Sequence, residues 1–290
     1  MPDSVALTRP RALWRSFGTA AWLGWQIESN WTSIWVFALY TVVKPLAAAG
    51  ILVVMYAMVN RARFDSPMFT YMYVGNAFYM FVGAVMSGMG WVIVQDREHY
   101  RTLKSVYAAP LDVRLYLIGR GLTKFVTASF SVFLTLSLGI AFLGVPVSPS
   151  AINWPLFVAA LALGVTMLAF MGLMMASVML LSGQSAWAIG ELLAGALYLF
   201  SGALFPLDVL PAALRYVGLA LPVTYWLELV RRTLVTSAAS LPAATAWSDQ
   251  RLLGTLVVLT AMLGVISIVV FDMCEGRARE RGLLDRTSNY

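Results

Sequence analysis

The chain has 290 residues, of which 60% are hydrophobic and 12% are charged, and its mean hydropathy is +0.78. This composition indicates a polytopic membrane protein and excludes a soluble domain of any size. The net charge of +6 suits loops that lie near anionic lipid, and no basic domain supports nucleic-acid binding. Cys274 is the only cysteine, which excludes an intramolecular disulfide and a metal–thiolate cluster, so we expect no metal site.

The N-terminal segment, residues 1–34, is predicted to be a cytoplasmic tail followed by an amphipathic helix in the membrane interface. Trp14, Phe17, Ala21 and Trp25 recur at helical spacing with polar residues between them, which is typical of interfacial helices. An aromatic belt would place tryptophans at the same level, and the two interpretations are compatible.

Residues 35–271 are predicted to form a transmembrane domain of six helices. A hydrocarbon core of about 30 Å requires about 20 apolar residues per helix, and the continuous apolar runs favour helices over barrel strands. The predicted spans are about 35–58, 68–94, 121–143, 154–181, 186–205 and 252–271, and residues 272–290 form a tail.

Lysine and arginine residues are more numerous in the two tails and in the loop between the second and third spans than in the other loops. The positive-inside rule therefore predicts that both termini are cytoplasmic. A rival topology makes residues 212–230 a seventh span, but it would move the arginines of the C-terminal tail outside. Six spans are preferred.

The hydrophobic segment after the fifth predicted span is interrupted by Pro206, Pro211 and Pro222. Its pieces are too short to cross a bilayer, and a membrane tolerates broken helices only where the freed backbone groups are shielded by protein or face water. Residues 206–230 are therefore predicted to form a re-entrant hairpin that borders a pathway.

The loop between the second and third spans contains a predicted amphipathic helix that Pro110 ends. On one continuous helix, Glu98 and Thr102 would share a polar edge, beside an apolar edge that includes Leu103 and Tyr107. Such a helix either lies on the membrane as a linker or docks into a groove of a partner protein. The pattern leaves both alternatives open.

Two stretches resemble the ABC-2 type exporter permeases. The first, EHYRTLKSVYAAPLDVRLYLIGR from Glu98 to Arg120, is similar to the family loop in which a glutamate precedes a Gly-Thr-Leu-Glu-like stretch and a proline. The second, SGALFPLDVLPAALRYVGLALPVTYWLELVRRTL from Ser201 to Leu234, is similar to the family's SG-x-x-F-P, LP and P-x-T-Y motifs. Together with the six spans, the resemblance covers nearly the whole chain.

Pattern and resemblance together predict an all-α polytopic membrane protein with six transmembrane helices, an N-terminal interfacial helix, a cytoplasmic coupling helix and a re-entrant hairpin between spans five and six. The resemblance implies the permease subunit of an ATP-driven ABC exporter in the cell membrane. Its implied partners are two copies of a separate ABC ATP-binding subunit and a second permease copy, as a homodimer or a close heterodimer. ATP and Mg would be held by the ATPase subunit, because this chain has no G-x-x-x-x-G-K-[ST] motif; no cofactor is expected in this chain.

The resemblance also assigns site residues. The predicted contact with the ATPase subunit, on the coupling helix, comprises Glu98, Tyr100, Thr102, Leu103 and Tyr107. The predicted translocation pathway or gate comprises Gly202, Ala203, Phe205, Pro206 and Pro222.

The main alternative is an ion-coupled secondary transporter, because ionisable groups inside a membrane are candidates for ion coupling. Lys44 and Glu191 are the candidate intramembrane charges, although snorkelling explains the lysine equally well and a local hydrogen bond explains the glutamate. A membrane-embedded enzyme is disfavoured, since His99 is the single histidine and there is no G-x-S-x-G motif, so no catalytic residue is expected. The substrate is left as an amphipathic lipid, a drug or a glycan.

Overall fold

The structure is a computed structural model that describes residues 10–30, 33–60, 64–109, 111–182, 186–236, 241–243, 245 and 247–283. Pro110 and the chain ends, residues 1–9 and 284–290, lie outside this set. Over the described residues the fold is all-helical, without a sheet; one isolated antiparallel bridge joins Val147 to Val235. The helices are α1 (Pro10–Asn30), α2 (Ile34–Asn60), α3 (Pro67–Val82), α4 (Gly88–Val94), α5 (Leu103–Ala108), α6 (Val113–Phe142), α7 (Trp154–Leu181), α8 (Ala186–Phe200), α9 (Ala212–Ala220), α10 (Pro222–Leu234) and α11 (Asp249–Glu280).

Five helices of the described chain are long and apolar enough to cross a membrane. They are α2, the continuous helix Pro67–His99 that includes α3 and α4, α6, α7 and α11, so helices at five of the six predicted spans are confirmed. α7 has the predicted bounds because its apolar run is uninterrupted and its start is capped. The Asn153 side chain accepts a hydrogen bond from the Leu156 N–H, and Pro155 occupies the first turn.

The fifth predicted span, residues 186–205, does not form one helix of full length. α8 has 15 residues, which correspond to about 22 Å and fall short of a hydrocarbon core of about 30 Å. It ends at Phe200 because Gly202 adopts a φ of +69°, a left-handed conformation that stops a helix.

The helix Pro67–His99, called the second-span helix below, contains two π-helical turns. Gly83–Ser87 lies in its middle and Gln95–His99 forms its last turn. Single π turns inside α-helices occur frequently at functional sites, because the extra residue changes which side chains face a neighbour.

The predicted continuous helix in the following loop is wrong. α5 comprises Leu103–Ala108, whereas Glu98 still belongs to the second-span helix. Between them Arg101 adopts a left-handed φ of 52°, and the Thr102 N–H donates to the Asp96 carbonyl at 2.8 Å. Glu98 and Thr102 therefore lie on different elements and do not share one helical edge.

The segment predicted as a hairpin, residues 206–230, contains two short helices joined at Leu221. α10 has 13 residues and is buried along nearly all of its length, whereas residues 212–217 of α9 are exposed. Pro222 begins a new helix, so the rival seventh span over residues 212–230 is not one continuous helix.

α7 packs against α4, α10 and α11. Glycines permit the closest approaches: a Cβ on Gly164 would lie 2.1 Å from the indole nitrogen of Trp226. α1 packs on α6 in the same way, because a Cβ on Gly119 would lie 2.9 Å from the Ala20 methyl group. The predicted N-terminal helix is thus docked on α6, while Trp22 on its other side is 63% exposed.

The two ends of the bundle carry different elements. The loop end contains α5 and the last turns of α11, where Asp272 forms an ion pair with Arg114 of α6. The hairpin end contains the start of α3, the turn of residues 201–206 and α9, and there the Tyr71 hydroxyl donates to the Gly202 carbonyl at 2.9 Å. These two names are used below without reference to the sides of the membrane.

Candidate functional site

A lateral groove of about 860 Å³ opens between α2, the second-span helix, α6 and α8. This volume is within the range typical of ligand pockets. Its apolar lining includes Ile27, Pro45, Ala48, Met80, Trp91, Met179 and Ala194, and its neutral polar lining includes Thr41, Ser87, Gln95, Tyr100, Thr127 and Ser131. The groove is therefore amphipathic.

Four charged side chains also line the groove. Lys44 of α2 and Glu191 of α8, the two predicted intramembrane charges, both border it, and Lys124 of α6 forms an ion pair there with Glu28 of α1. Charged groups inside a membrane normally face the bundle interior, a water-filled cavity or an opposite charge. The groove provides these surroundings.

The wall formed by the first π turn and the start of α4 consists of small residues, namely Gly83, Ala84, Ser87 and Gly88. A Cβ on Gly83 would meet no atom within 4 Å, so this stripe leaves open space there instead of a close helix contact. At Gly88 the Lys124 side chain passes 3.0 Å from the Cβ position, which lets the ammonium reach Glu28.

The turn of residues 201–206 is held by a buried arginine. Arg231 is 2% exposed; its Nη2 donates to the carbonyls of Gly202 (2.8 Å) and Ala203 (3.0 Å), and its Nε donates to the Tyr71 carbonyl (3.1 Å). The guanidinium also lies 3.6 Å from the centre of the Tyr71 ring. The predicted gate residues Gly202 and Ala203 therefore lie in a tightly fixed turn.

None of the residues predicted to form a pathway or gate lines the lateral groove. Gly202, Ala203 and Pro206 are buried, whereas Phe205 and Pro222 are partly buried. The first four share the turn at the hairpin end, and Pro222 begins α10. The structure thus brings them to one end of the bundle, away from the groove.

A second pocket of about 300 Å³ lies beside α10 at the start of α11. Arg232 crosses it: Nε donates to Glu228 (3.0 Å), and Nη1 donates to Asp249 (3.2 Å) and to the Trp247 carbonyl (2.6 Å). These bonds connect α10 to the chain before α11. The pocket is thus crossed by the protein's own ion pairs and is less suited to an amphipathic ligand than the groove.

The residues predicted to contact an ATPase lie at the loop end in different surroundings. Tyr100 and Thr102 are exposed, Glu98 is partly buried and forms an ion pair with Arg97 (3.3 Å), Leu103 is buried and Tyr107 is partly buried.

Leu103 and Tyr107 pack inward, against the bundle. Leu103 is 2% exposed and belongs to the hydrophobic core, and the Arg279 guanidinium lies 5.1 Å from the centre of the Tyr107 ring. Burial raises the pKa of the Tyr107 phenol, the nearby Glu275 carboxylate raises it further, and Arg279 lowers it. These two residues therefore attach the loop helix to the bundle.

Sequence reasoning missed the buried arginines. The positive-inside argument treats Arg120 and Arg231 as loop charges, but they are 3% and 2% exposed. Arg120 pairs with Asp96 at 3.2 Å across 24 residues of sequence, a separation that no local pattern reveals. The available hint is the position of Asp96 directly after an apolar run.

Among the described residues, no group of three His, Cys, Asp or Glu side chains is placed to hold a metal ion. The candidate site is therefore an amphipathic groove of a membrane protein with a fixed turn at one end and a packed loop at the other.

Comparison with known proteins identifies the family. The ABC-2 type transporter family matches residues 20–235, a range that contains the groove, the loop helix and the hairpin-end turn. No curated protein matches the chain. Because the match covers well over half of the sequence, the chain belongs to the ABC-2 type transporter family and is a membrane permease subunit that carries no ATPase site of its own.

Proposed function

We propose that this permease subunit exports an amphipathic molecule and that the substrate enters through the lateral groove. The supporting observation is the groove lining, which combines apolar side chains with hydroxyl groups and charges. A lipid or drug with a polar head matches such a lining, and a glycan carried on a lipid would be held in the same way.

Six crossings are the topology that the contacts favour. The Arg97 guanidinium donates to the Ser182 carbonyl and the Tyr71 hydroxyl to the Gly202 carbonyl, so α8, which lies between these two contacts, runs beside the second-span helix. That helix rises about 39 Å from Tyr71 to Arg97, which exceeds a hydrocarbon core of about 30 Å. The chain from Ser182 to Gly202, with α8 as its helical part, would form the fifth crossing.

Both termini are proposed to be cytoplasmic. α1 packs on α6 near Gly119, and Asp272 near the end of α11 pairs with Arg114, so the first and last described helices both lie against the loop end. That end is rich in arginine, which the positive-inside rule places in the cytoplasm. In this arrangement Trp22 and Trp25, both exposed, would lie at the inner interface, and the re-entrant hairpin would close the outer end.

The loop end would dock the ABC ATP-binding subunit. Tyr100, Thr102, Lys104 and Ser105 are exposed there and form the proposed contact, together with the edge of Glu98. Two copies of that subunit, which would bind ATP and Mg, and a second permease copy would complete the exporter.

An ion-coupled secondary transporter is the second candidate, because Lys44 and Glu191 line one groove. An ammonium and a carboxylate on one cavity can exchange protons as a substrate passes. The energy source separates the two functions: transport that needs ATP and stops with vanadate supports the exporter, whereas transport driven by a proton gradient without any ATPase supports the alternative.

The groove can be tested as the substrate route by filling it with a bulky side chain. Gly83→Trp places an indole in open space, so we expect normal assembly with the ATPase but loss of ATP-driven transport of labelled lipids and dyes in proteoliposomes. Gly254→Trp on α11 is the matched control, since a Cβ there also meets no atom within 4 Å and Gly254 lies outside the groove. Unchanged transport by an assembled Gly83→Trp variant would contradict the groove as the route.

A further inference from the structure

Two consecutive charged residues are buried where the second-span helix ends. Asp96 is 1% exposed and Arg97 is 6% exposed, although both lie in the final π turn next to the exposed His99. Consecutive side chains on a helix diverge by about 100°, so the two reach different neighbours. Neither residue lines the lateral groove or belongs to the proposed ATPase contact.

Asp96 binds the first turns of α6. Its Oδ1 accepts a hydrogen bond from Arg120 Nη1 (3.2 Å), its Oδ2 accepts one from the Tyr116 hydroxyl (2.8 Å), and Arg120 Nη1 also donates to the Tyr116 oxygen (2.8 Å). Arg120 and Tyr116 are buried as well. Because pulling Asp96 away would leave an unpaired buried charge, α6 is expected to follow any movement of Asp96.

Arg97 binds the end of α7. Its Nη2 donates to the Ser182 carbonyl (2.9 Å) and its Nη1 lies 3.5 Å from the Met179 carbonyl oxygen. The last carbonyls of a helix have no partner within the helix, and a guanidinium there satisfies them and complements the helix dipole. α7 is therefore connected to the same turn of the second-span helix as α6.

The loop is attached directly to the turn that carries these two residues. The Thr102 N–H donates to the Asp96 carbonyl (2.8 Å), and within the same turn Glu98, which borders the proposed ATPase contact, pairs with Arg97 (3.3 Å). Any displacement of the loop thus acts first on this turn. The loop's contact with α11 is weaker, since Arg279 has a side chain that is 58% exposed.

We infer that Asp96 and Arg97 are positioning residues that make the loop, the start of α6 and the end of α7 move as one unit when the ATPase subunit acts. The inference rests on the proposed docking of an ATPase at the loop. α6 forms one wall of the lateral groove and α2 forms another, so movement of this unit would change the width of the groove.

The test measures distances in the permease–ATPase complex by double electron–electron resonance. Spin labels are attached in a Cys274→Ser background to cysteines replacing Ala108 in α5, which lies outside the proposed ATPase contact, and one of Leu122 (α6), Met174 (α7) or Leu39 (α2), all of which are exposed. On trapping with ADP and vanadate, we expect the distances from Ala108 to Leu122 and Met174 to stay constant and the distance from Ala108 to Leu39 to change. A change in either of the first two distances, or no change in the third, would overturn the inference.

Tyr116→Phe tests the cluster without leaving a buried charge unpaired. It removes one hydroxyl, and we expect the complex to form and hydrolyse ATP while the Ala108–Leu122 distance now changes on trapping. The matched control is Tyr225→Phe, which removes a tyrosine hydrogen bond to the Leu219 carbonyl (2.7 Å) and should keep that distance constant. A constant distance in Tyr116→Phe would show that the Tyr116 hydroxyl does not couple Asp96 to α6 and would count against the inference.

The same experiment separates the inference from the proposed function. If the ATPase subunit does not bind the wild-type permease, the proposed function fails, and the inference fails with it. If the wild-type complex forms and hydrolyses ATP but the labelled helices move independently, the inference alone fails.

Discussion

Gly75 and Arg231 together determine whether the turn at the hairpin end can close. A Cβ on Gly75 would lie 1.9 Å from Arg231 Nη2 and 2.1 Å from the Ala203 carbonyl oxygen. A glycine is required because the guanidinium and the carbonyl both occupy the space that a methyl group would take. The turn therefore requires both the absence of a side chain at Gly75 and the presence of the Arg231 guanidinium.

We predict that Gly75→Ala destabilises the protein by about 1–3 kcal/mol, the usual cost of overpacking a well-packed site. The methyl group must displace Arg231 from the carbonyls that it binds, and a displaced buried guanidinium adds to the cost. The measurement is the melting temperature of the purified permease in detergent. Gly50→Ala is the control, because its Cβ would meet no atom within 4 Å; equal melting temperatures for the two variants would refute the role of Gly75.

The sequence reveals little of this arrangement. Arg231 follows a P-x-T-Y motif and reads as a loop charge, yet its partners at Gly202 and Tyr71 are 29 and 160 residues away in sequence. Periodicity and charge counting use neighbouring residues, so they do not detect a contact made by the folded chain. Lys44 and Glu191 were identifiable because each interrupts an apolar run, and the groove then explains their position.

Among the helices, the accuracy of the sequence prediction follows the continuity of the apolar runs. The bounds of α7 are those predicted, whereas the second-span helix extends past its apolar run to His99 because buried ion pairs satisfy its last turn. α8 is shorter than predicted because Gly202 adopts its left-handed conformation against Arg231 and Tyr71. Contacts with residues distant in sequence therefore determine where these two helices end, and composition alone predicts those ends wrongly.

Substitutions on the two sides of α5 distinguish its packing against the bundle from the docking of the ATPase. Leu103→Asp introduces a carboxylate into the core, where Leu103 is 2% exposed, so we expect a loss of at least about 2 kcal/mol of stability. Ser105→Trp alters the exposed side of the same helix and should leave stability unchanged while weakening co-purification of the ATPase. The measurements are the melting temperature and the amount of ATPase that is retained on the purified permease.

The two variants, Leu103→Asp and Ser105→Trp, together show which side of α5 packs on the bundle and which side contacts the ATPase. A fully stable Leu103→Asp variant would contradict the inward packing of α5. Normal retention of the ATPase by Ser105→Trp would instead contradict the proposed docking side, and the loop would then be a surface linker.

The contacts at the loop end bear on the proposed number of crossings. α5, the start of α6 and the end of α11 meet there through Arg114–Asp272 and Tyr107–Arg279, and α8 reaches the hairpin end through Gly202. If the two ends of the bundle lie on opposite sides of the membrane, an even number of crossings returns the C-terminal helix to the end that also carries α5. Whether the short α8 crosses the membrane therefore decides whether the number of crossings between α5 and the end of α11 is even or odd.

We predict that this topology is visible in the reactivity of single cysteines in a Cys274→Ser background. Ser105, Asp208 and Glu280 are exposed positions at the loop, in the hairpin-end segment and at the end of α11. With an impermeant maleimide, Asp208→Cys should react in intact cells, whereas Ser105→Cys and Glu280→Cys should react only after permeabilisation, because arginine-rich segments stay in the cytoplasm. Reaction of Glu280→Cys in intact cells, with Ser105→Cys still protected, would mean an odd number of crossings between these residues and would require α8 to return to the side from which it entered.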